Sequence, residues 1–521
     1  MKTIECSGSH RNRNVCLGNL FESLIIIAIF LMPYDALHVM PSTYRPVSVF
    51  PIVLALFVGL MGKKIRLGCS AYPFMAFYIY VVVSTVVRIC LGVDGAFQGL
   101  KTIVTLSLGI ASYIVLYSFF RANRERFGFE RTIDDIARVL SAAYVIPLLV
   151  GVLETLSLVG ILPSSINEIL RGVFGGFQDR RLTLTSYEAS WASVHLLIAF
   201  CANAHIYSKL RARNNLVMAA TAFLLMIYTK SLQGAMAFAV GFAVYLVWKA
   251  FHFKNIKKLI IQMAVFSVAV FCIFKLLAIL SIPGDAYYMR RIANFTSVGN
   301  MIRTDGSSFV RIVFPYLALL VWFDHPIFGV GGDAFPPLIS TYIDKYFPWA
   351  WGTFPHLNPA AELPGSLYTC VPAEFGAIGL ILFVGGILLA VKRLIQDGSR
   401  WLCSPFISLF VLIILSNQLQ QTSYAYFPLW VVLSMINACS SSESGCGHVS
   451  SICFNRECIF GVERLFGILK MPDSFSTCAP ERPIKSSCVV PTLRAVRHDR
   501  MGRGGCESVV SPTETNEGEP S

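Results

Sequence analysis

Charged side chains are scarce in this sequence. Asp, Glu, Lys and Arg make up 14% of its 521 residues, whereas hydrophobic residues make up 55% and the mean hydropathy is +0.62. Soluble globular proteins carry about 25% charged residues. The composition therefore excludes an ordinary soluble domain. It predicts an all-α polytopic membrane protein, because apolar runs near the length of a hydrocarbon core recur along the chain.

Several catalytic signatures are also missing. The chain contains neither a G-x-x-x-x-G-K-[ST] loop nor an H-E-x-x-H motif, which argues against an ATP-driven pump and a zinc protease. Seven of the 15 cysteines follow residue 438, but their spacings do not fit a zinc site. We expect no cofactor and no metal, so any chemistry would use an activated substrate carried to the protein on a lipid.

The positive charge is distributed in a way that argues against nucleic-acid binding. The formal net charge is +13, but the basic residues form small clusters between apolar runs, as the positive-inside bias predicts. We expect about 12 transmembrane helices and one large outer loop before the tenth. The predicted spans are residues 20–32, 47–61, 74–91, 102–120, 137–161, 189–207, 216–228, 235–248, 259–280, 373–391, 402–415 and 425–436.

The same clusters predict the topology. Basic residues follow spans two, four, six, eight and ten, which places both termini in the cytoplasm. Residues 1–19 form a cytoplasmic N-terminus, and residues 20–437 form the transmembrane domain with outer loops at 163–187 and about 281–372. Residues 438–521 are polar, lack periodicity and are predicted to be a disordered cytoplasmic tail.

The first polar motif lies where span six begins. Its sequence is RRLTLTSYEASW, at 180–191. Arg180 and Arg181 are candidates for binding phosphate, because the guanidinium group donates two parallel hydrogen bonds and keeps its charge. Glu188 is a candidate for chemistry at this site, and the alternative is an acid at the start of a helix, where the helix dipole favours a carboxylate, paired to an arginine. Within the preceding span, Glu154 is a candidate for helix packing or a substrate groove.

The second polar motif begins on a predicted helix at Arg311. Pro326 is expected to end that helix, and glycines at 329, 331 and 332 let the backbone turn or approach another group closely. His325 and His356 are candidate catalytic residues, and His325 before a proline is also typical of a capping or packing histidine. Glu374, where span ten begins, is a candidate substrate-binding residue or a helix-start acid.

These motifs resemble those of the O-antigen ligase and O-antigen polymerase superfamily. The resemblance rests on DHPIFGVG at 324–331, on EFGAIG at 374–379, and on RLTLT at 181–185 with Glu188, which is closest to exopolysaccharide polymerases. It covers about residues 20–436, with matching spans and outer loop. Ligases of this family carry a His-Asn pair shortly before the Glu-x-Gly stretch. Gly365 and Ser366 stand there instead, and His356 is nine residues out of register.

The resemblance implies glycosyl transfer from an undecaprenyl-diphosphate-linked oligosaccharide, without nucleotide sugar or metal, in the bacterial inner membrane. Arg181 and Arg311 would hold the donor diphosphate, and a base would deprotonate the acceptor hydroxyl. We expect a polysaccharide polymerase with Glu188 as base, working beside a flippase and a chain-length regulator. The alternatives are an O-antigen or glycan ligase and a lipid-linked glycan flippase, although we see no repeated halves of the kind typical of transporters.

Overall fold

The computed structural model describes residues 7–37, 46–92, 96–176, 181–253, 297–355 and 365–440, with the single positions 257, 261, 262, 264 and 357. All regular secondary structure in these segments is helical. The helices are α1 Ser7–Phe30, α2 Val49–Met61, α3 Tyr72–Cys90, α4 Ala96–Phe127, α5 Phe129–Ala143, α6 Val145–Leu158, α7 Ser164–Phe174, α8 Ala189–Leu210, α9 Arg213–Tyr228, α10 Leu232–Phe253, α11 Val298–Thr304, α12 Gly306–Asp324, α13 Phe335–Tyr346, α14 Ala350–Thr353, α15 Leu367–Gln396, α16 Gly398–Leu402, α17 Pro405–Asn417 and α18 Phe427–Cys439.

Seven stretches of the described chain are long and apolar enough to cross a membrane. They are Cys69–Cys90, Gly99–Phe127, Phe129–Leu158, Ala189–Leu210, Leu232–His252, Gly306–Asp324 and Leu367–Gln396. Shorter apolar helices cover Gly18–Phe30, Val49–Met61, Pro405–Asn417 and Phe427–Cys439. The prediction of an all-helical, multi-pass membrane protein is therefore confirmed. The tail from residue 441 and the predicted ninth span, 259–280, lie outside the described residues, apart from positions 261, 262 and 264.

The predicted helix after Arg311 is present, and it ends at Asp324, just before Pro326. The predicted outer loop also contains three further helices, α11, α13 and α14. Together with α12 they enclose a small apolar core of their own, centred on Phe309, Phe314 and Phe335. This core is separate from the main bundle core, in which every residue of α18 is buried and α8 is the most buried of the seven long spans.

Connections between the helices collect at two ends of the bundle. At one end, Arg124 on α4 donates to the carbonyl of Ser440 after α18, and Arg393 on α15 donates to Asn437 at 2.8 Å. We call this the basic end, because the basic clusters that follow spans two, four, six and ten lie beside its connections.

The opposite end, here called the loop end, holds the segments 31–37, 158–176, 181–188, 228–233, 325–334 and 417–426. Hydrogen bonds join these segments to one another and to the start of α15. Examples are Thr185 Oγ1 to the carbonyl of Pro33 at 2.6 Å, Gln233 to Asn417 at 3.0 Å, and Leu367 N to the carbonyl of Gln418 at 3.0 Å. Both polar motifs of the sequence fall at this end.

Candidate functional site

Helix α15 is broken near the end of its first third. Gly376 has φ 63° and ψ −161°, which is not a helical conformation, and it separates two helical halves. Only glycine adopts such an angle without strain. The break removes the helical hydrogen-bond partners of nearby backbone groups, and buried groups of this kind need new partners.

The segment 326–331 supplies those partners, so the two halves of the second motif pair directly. Tyr80 on α3 adds a bond from its hydroxyl to the carbonyl of Phe375 at 3.1 Å. The backbone bonds are Val330 N to Ala373 O at 3.0 Å, Gly331 N to Glu374 O at 2.8 Å, and Ala377 N to Pro326 O at 2.8 Å. Motifs that lie about 50 residues apart in sequence therefore form one structural unit.

The Glu374 side chain is enclosed in this unit and is 2% exposed. One carboxylate oxygen accepts from the backbone N–H of Asp333 at 3.0 Å, and the other accepts from the Tyr424 hydroxyl at 3.0 Å. Glu374 therefore ties α15 to the segments 325–334 and 417–426. It lies inside α15 rather than at its start, because α15 begins at Leu367. A contact with substrate at Glu374 stays a prediction.

The first motif is held by Glu154, a buried acid of α6 that is 1% exposed. Its carboxylate accepts from the backbone N–H groups of Thr183 and Leu184, at 3.1 and 2.8 Å, and from the Thr183 hydroxyl at 3.1 Å. Arg171 lies 3.6 Å away. Leu184 has φ +55°, a left-handed conformation unusual for leucine, and the bond to its N–H holds it there. The packing role considered for Glu154 is the one the contacts support.

We expect Glu154→Gln to destabilise the protein. Gln has one acceptor oxygen where Glu154 uses two, and its amide N–H₂ would face donors at Thr183 and Leu184, so a buried N–H would be left without a partner at a cost of about 1–3 kcal/mol. The measurement is the thermal midpoint of the detergent-purified protein, with Glu168→Gln on the exposed face of α7 as the matched control. An unchanged midpoint for Glu154→Gln would contradict this role.

Arg181 lies at the mouth of the bundle beside a second cation. Its guanidinium donates to the carbonyls of Thr229 at 3.3 Å and Lys230 at 3.1 Å. Burial, and then the positive charge of Arg181, lowers the pKa of the Lys230 ammonium group. Two neighbouring positive charges at the loop end favour an anion between or beside them.

Glu188 occupies the position directly before α8 and is half-buried. The helix-start position predicted for it is confirmed. Its carboxylate does not cap the α8 backbone. Instead, it accepts from the Ser190 hydroxyl at 2.7 Å. This bond orients the carboxylate while its other oxygen keeps its remaining acceptor sites.

A buried polar chain behind this motif was missed by sequence reasoning. The Tyr144 hydroxyl lies 2.7 Å from His195 Nδ1, and His195 Nε2 lies 3.1 Å from Asp35 Oδ2. All three side chains are buried. The chain fixes the 31–37 segment, which also receives the hydrogen bond from Thr185, so it supports the first motif from the side of α1. Asp35 and His195 are 160 residues apart, and no local spacing could have paired them.

Four further predicted residues remain: two lie in or directly after α12, and two lie outside the described chain. Arg311 is half-buried in the second turn of α12, and His325 is exposed directly after its end. The neighbouring Asp324 accepts a hydrogen bond from the Tyr342 hydroxyl on α13. Arg180 and His356 lie outside the described residues.

The segment 417–426 contacts the second motif through Tyr424 and Glu374, and it contacts the start of α10 through Asn417 and Gln233. The carbonyl oxygen of Gln418 accepts hydrogen bonds from the Ser366 hydroxyl and from the backbone N–H of Leu367. The preceding residue, Gly365, lies against Pro315 of α12. Asn417 is bonded to Gln233, close to the Arg181 partners. Arg181, Glu188 and Arg311 all belong to segments at the loop end of the bundle. Among the described residues, no group of three or more His, Cys, Asp or Glu side chains is arranged to hold a metal.

Comparison with known proteins found no matching family model and no matching curated protein.

Proposed function

We propose that this protein polymerises undecaprenyl-diphosphate-linked oligosaccharide repeat units into a surface or secreted polysaccharide. The reaction takes place at the periplasmic face of the bacterial inner membrane. The observation that carries the proposal is the placement of Arg181, Glu188 and Arg311 at the loop end, opposite the basic end. The positive-inside bias assigns the basic end to the cytoplasm, so the loop end faces outward, where lipid-linked repeat units are displayed.

The reaction is a displacement at the anomeric carbon of the donor sugar. The Glu188 carboxylate takes the proton of the acceptor hydroxyl, and the acceptor oxygen then bonds to that carbon. The bond from the carbon to the diphosphate oxygen breaks, and undecaprenyl diphosphate leaves with the electron pair. Arg181 and Arg311 stabilise the negative charge that develops on this leaving group, and Lys230 adds to the positive field.

Glu188 suits the role of base because Ser190 holds its carboxylate at the mouth of the bundle without burying it. Glu374, by contrast, uses both oxygens within the protein. A donor on the outer face implies a flippase that delivers it, and a growing product implies a chain-length regulator as partner. The ligase alternative keeps one observation in its favour, which is the exposure of His325 beside the paired motifs.

The function is tested with purified protein in lipid vesicles and a lipid-linked repeat unit. We expect a ladder of longer glycans without added nucleotide or metal. Transfer of the glycan to a different acceptor, without lengthening, would indicate the ligase. Movement of the lipid between leaflets with no longer product would indicate the flippase.

In the same assay we expect Arg311→Lys to lose at least 90% of the polymer, because lysine cannot reproduce the two-pronged contact with a diphosphate. The matched control is Arg303→Lys. Arg303 is exposed on the neighbouring helix α11 and stacks on Trp349, and a lysine can keep that contact. Membrane abundance of both variants is measured in parallel. A normal polymer yield from Arg311→Lys would reject its role.

A further inference from the structure

Helix α12 has the length and apolarity of a membrane span, yet both of its flanks lie at the loop end. Its first residue, Gly306, packs near Phe354, and its Pro315 packs near Gly365, just before α15 begins. Beyond the C-terminal end of α12, Ile327 contacts Gly376. Gly376 lies only nine residues into α15, so α12 and the turn after it descend beside the first third of α15 and go no deeper.

The depth of this turn follows from the length of α15. Thirty residues at about 1.5 Å per residue span about 45 Å, against a hydrocarbon core of about 30 Å. A centred α15 therefore extends roughly 7 Å beyond each face of the core. Gly376, about 14 Å from the start of the helix, lies roughly 6 Å inside the core. The turn that contacts it lies at the same depth.

Several backbone groups of the turn have partners within the protein, as residence in hydrocarbon requires. Pro326 has no N–H, and its carbonyl accepts from Ala377 N and from Trp322 Nε1 at 3.1 Å. Gly329 N donates to the carbonyl of His325 at 3.1 Å. The bonds to α15 satisfy the N–H groups of residues 330 and 331, and Arg88 on α3 donates to the carbonyl of Val330.

The turn also presents large apolar side chains outward. Phe323 is 68% exposed, Ile327 56% and Phe328 64%. The two spans bonded to the turn also have exposed apolar side chains. On α3, Val83 is 54% exposed, and on α15, Ile381 is 70% exposed. Exposed apolar side chains beside membrane-spanning helices fit acyl chains.

We propose that α12 and α13 form a re-entrant hairpin. Helix α12 enters the membrane from the loop end, and the chain turns back at residues 325–334 in the hydrocarbon of the nearer leaflet. Phe323, Ile327 and Phe328 contact lipid acyl chains. Helix α12 does not cross the membrane, and residues 297–365 begin and end on one side.

The first test measures depth. A nitroxide is attached at Phe328→Cys in a cysteine-depleted background and compared with labels at Ile381→Cys on α15 and Thr341→Cys on the exposed face of α13. In vesicles, we expect the Phe328 label to collide with oxygen more often than with a water-soluble nickel complex, as the Ile381 label does. The Thr341 label should show the reverse order. A Phe328 label that behaves like the Thr341 label would overturn the proposal.

The second test measures sidedness and does not depend on the aromatic positions. Asn300→Cys before α12 and Thr341→Cys after it are both exposed. A membrane-impermeant maleimide applied to right-side-out vesicles should label both. It should not label Asn214→Cys at the basic end until the vesicles are opened. Labelling of Asn300 and Thr341 from opposite sides would mean that α12 crosses the membrane, and the proposal would be wrong even if polymerase activity were intact.

Discussion

Replacing Gly376 with alanine is expected to remove most of the folded protein from the membrane. An alanine Cβ at this position would lie 2.1 Å from the carbonyl oxygen of Ile327, and the φ of +63° adds strain for any L side chain. The obstructing atom belongs to backbone, so it cannot rotate away. The three backbone hydrogen bonds that join 326–331 to α15 would be lost together, and each buried group left without a partner costs about 1–3 kcal/mol.

Gly329→Ala should have the same effect from the other side of the pair. Its Cβ would lie 2.4 Å from the carbonyl carbon and oxygen of Glu374, at a φ of +68°. The matched control is Gly385→Ala in the same helix, where no atom lies within 4 Å of the added Cβ. Because alanine favours helix by up to about 1 kcal/mol over glycine, this control should be neutral or stabilising. Membrane abundance and the fraction that stays monodisperse in detergent are the measurements. Wild-type values for Gly376→Ala would refute the paired arrangement.

The second large effect concerns chemistry. Glu188→Gln keeps the shape of the side chain and an acceptor for Ser190 but removes the basic carboxylate. We expect polymer formation to fall at least 100-fold with membrane abundance unchanged, because general-base catalysis contributes about 10²–10⁴ in rate. Glu168→Gln serves as the control, since Glu168 is an exposed acid at the same end of the bundle. It should keep full activity.

Two histidine variants complete the comparison. His325→Ala and His356→Ala should each retain substantial polymer formation, because the proposed base is Glu188. If either histidine variant were inactive while Glu188→Gln remained active, the ligase alternative would replace the polymerase. If Glu188→Gln lowered membrane abundance as well as polymer, the residue would be structural, like Glu154.

Helix positions could be read from the sequence because apolar runs of sufficient length leave the backbone few alternatives in a membrane. The start of α15 could not. The tenth span was predicted to begin at residue 373, but α15 begins at Leu367 and continues through Pro372. The apolar contacts of Leu367, Cys370 and Val371 with the main core offset the hydrogen bond that Pro372 cannot make.

The site was predictable only in part for a related reason. The two motifs were identifiable from residue types with known chemistry, such as arginine for phosphate. The contacts that hold the first motif in place could not be predicted. Glu154 accepts from the backbone N–H groups of residues 183 and 184, and every residue type except proline has such a group, so the sequence does not show which residues Glu154 contacts. The same holds for Asp35, His195 and Tyr144, which meet only after α1, α6 and α8 have packed.

The pairing of 326–331 with α15 also constrains how this region can diverge. Its hydrogen bonds use backbone atoms, so they place no chemical demand on the side chains of Ile327, Phe328 or Ala377 beyond apolarity and size. The demand falls on Gly329 and Gly376, where a side chain of any kind obstructs the partner segment. Variants of this protein could change in amino-acid sequence at most positions of the hairpin turn while Gly329 and Gly376 are retained. The region would then keep its shape long after its amino-acid identities had changed.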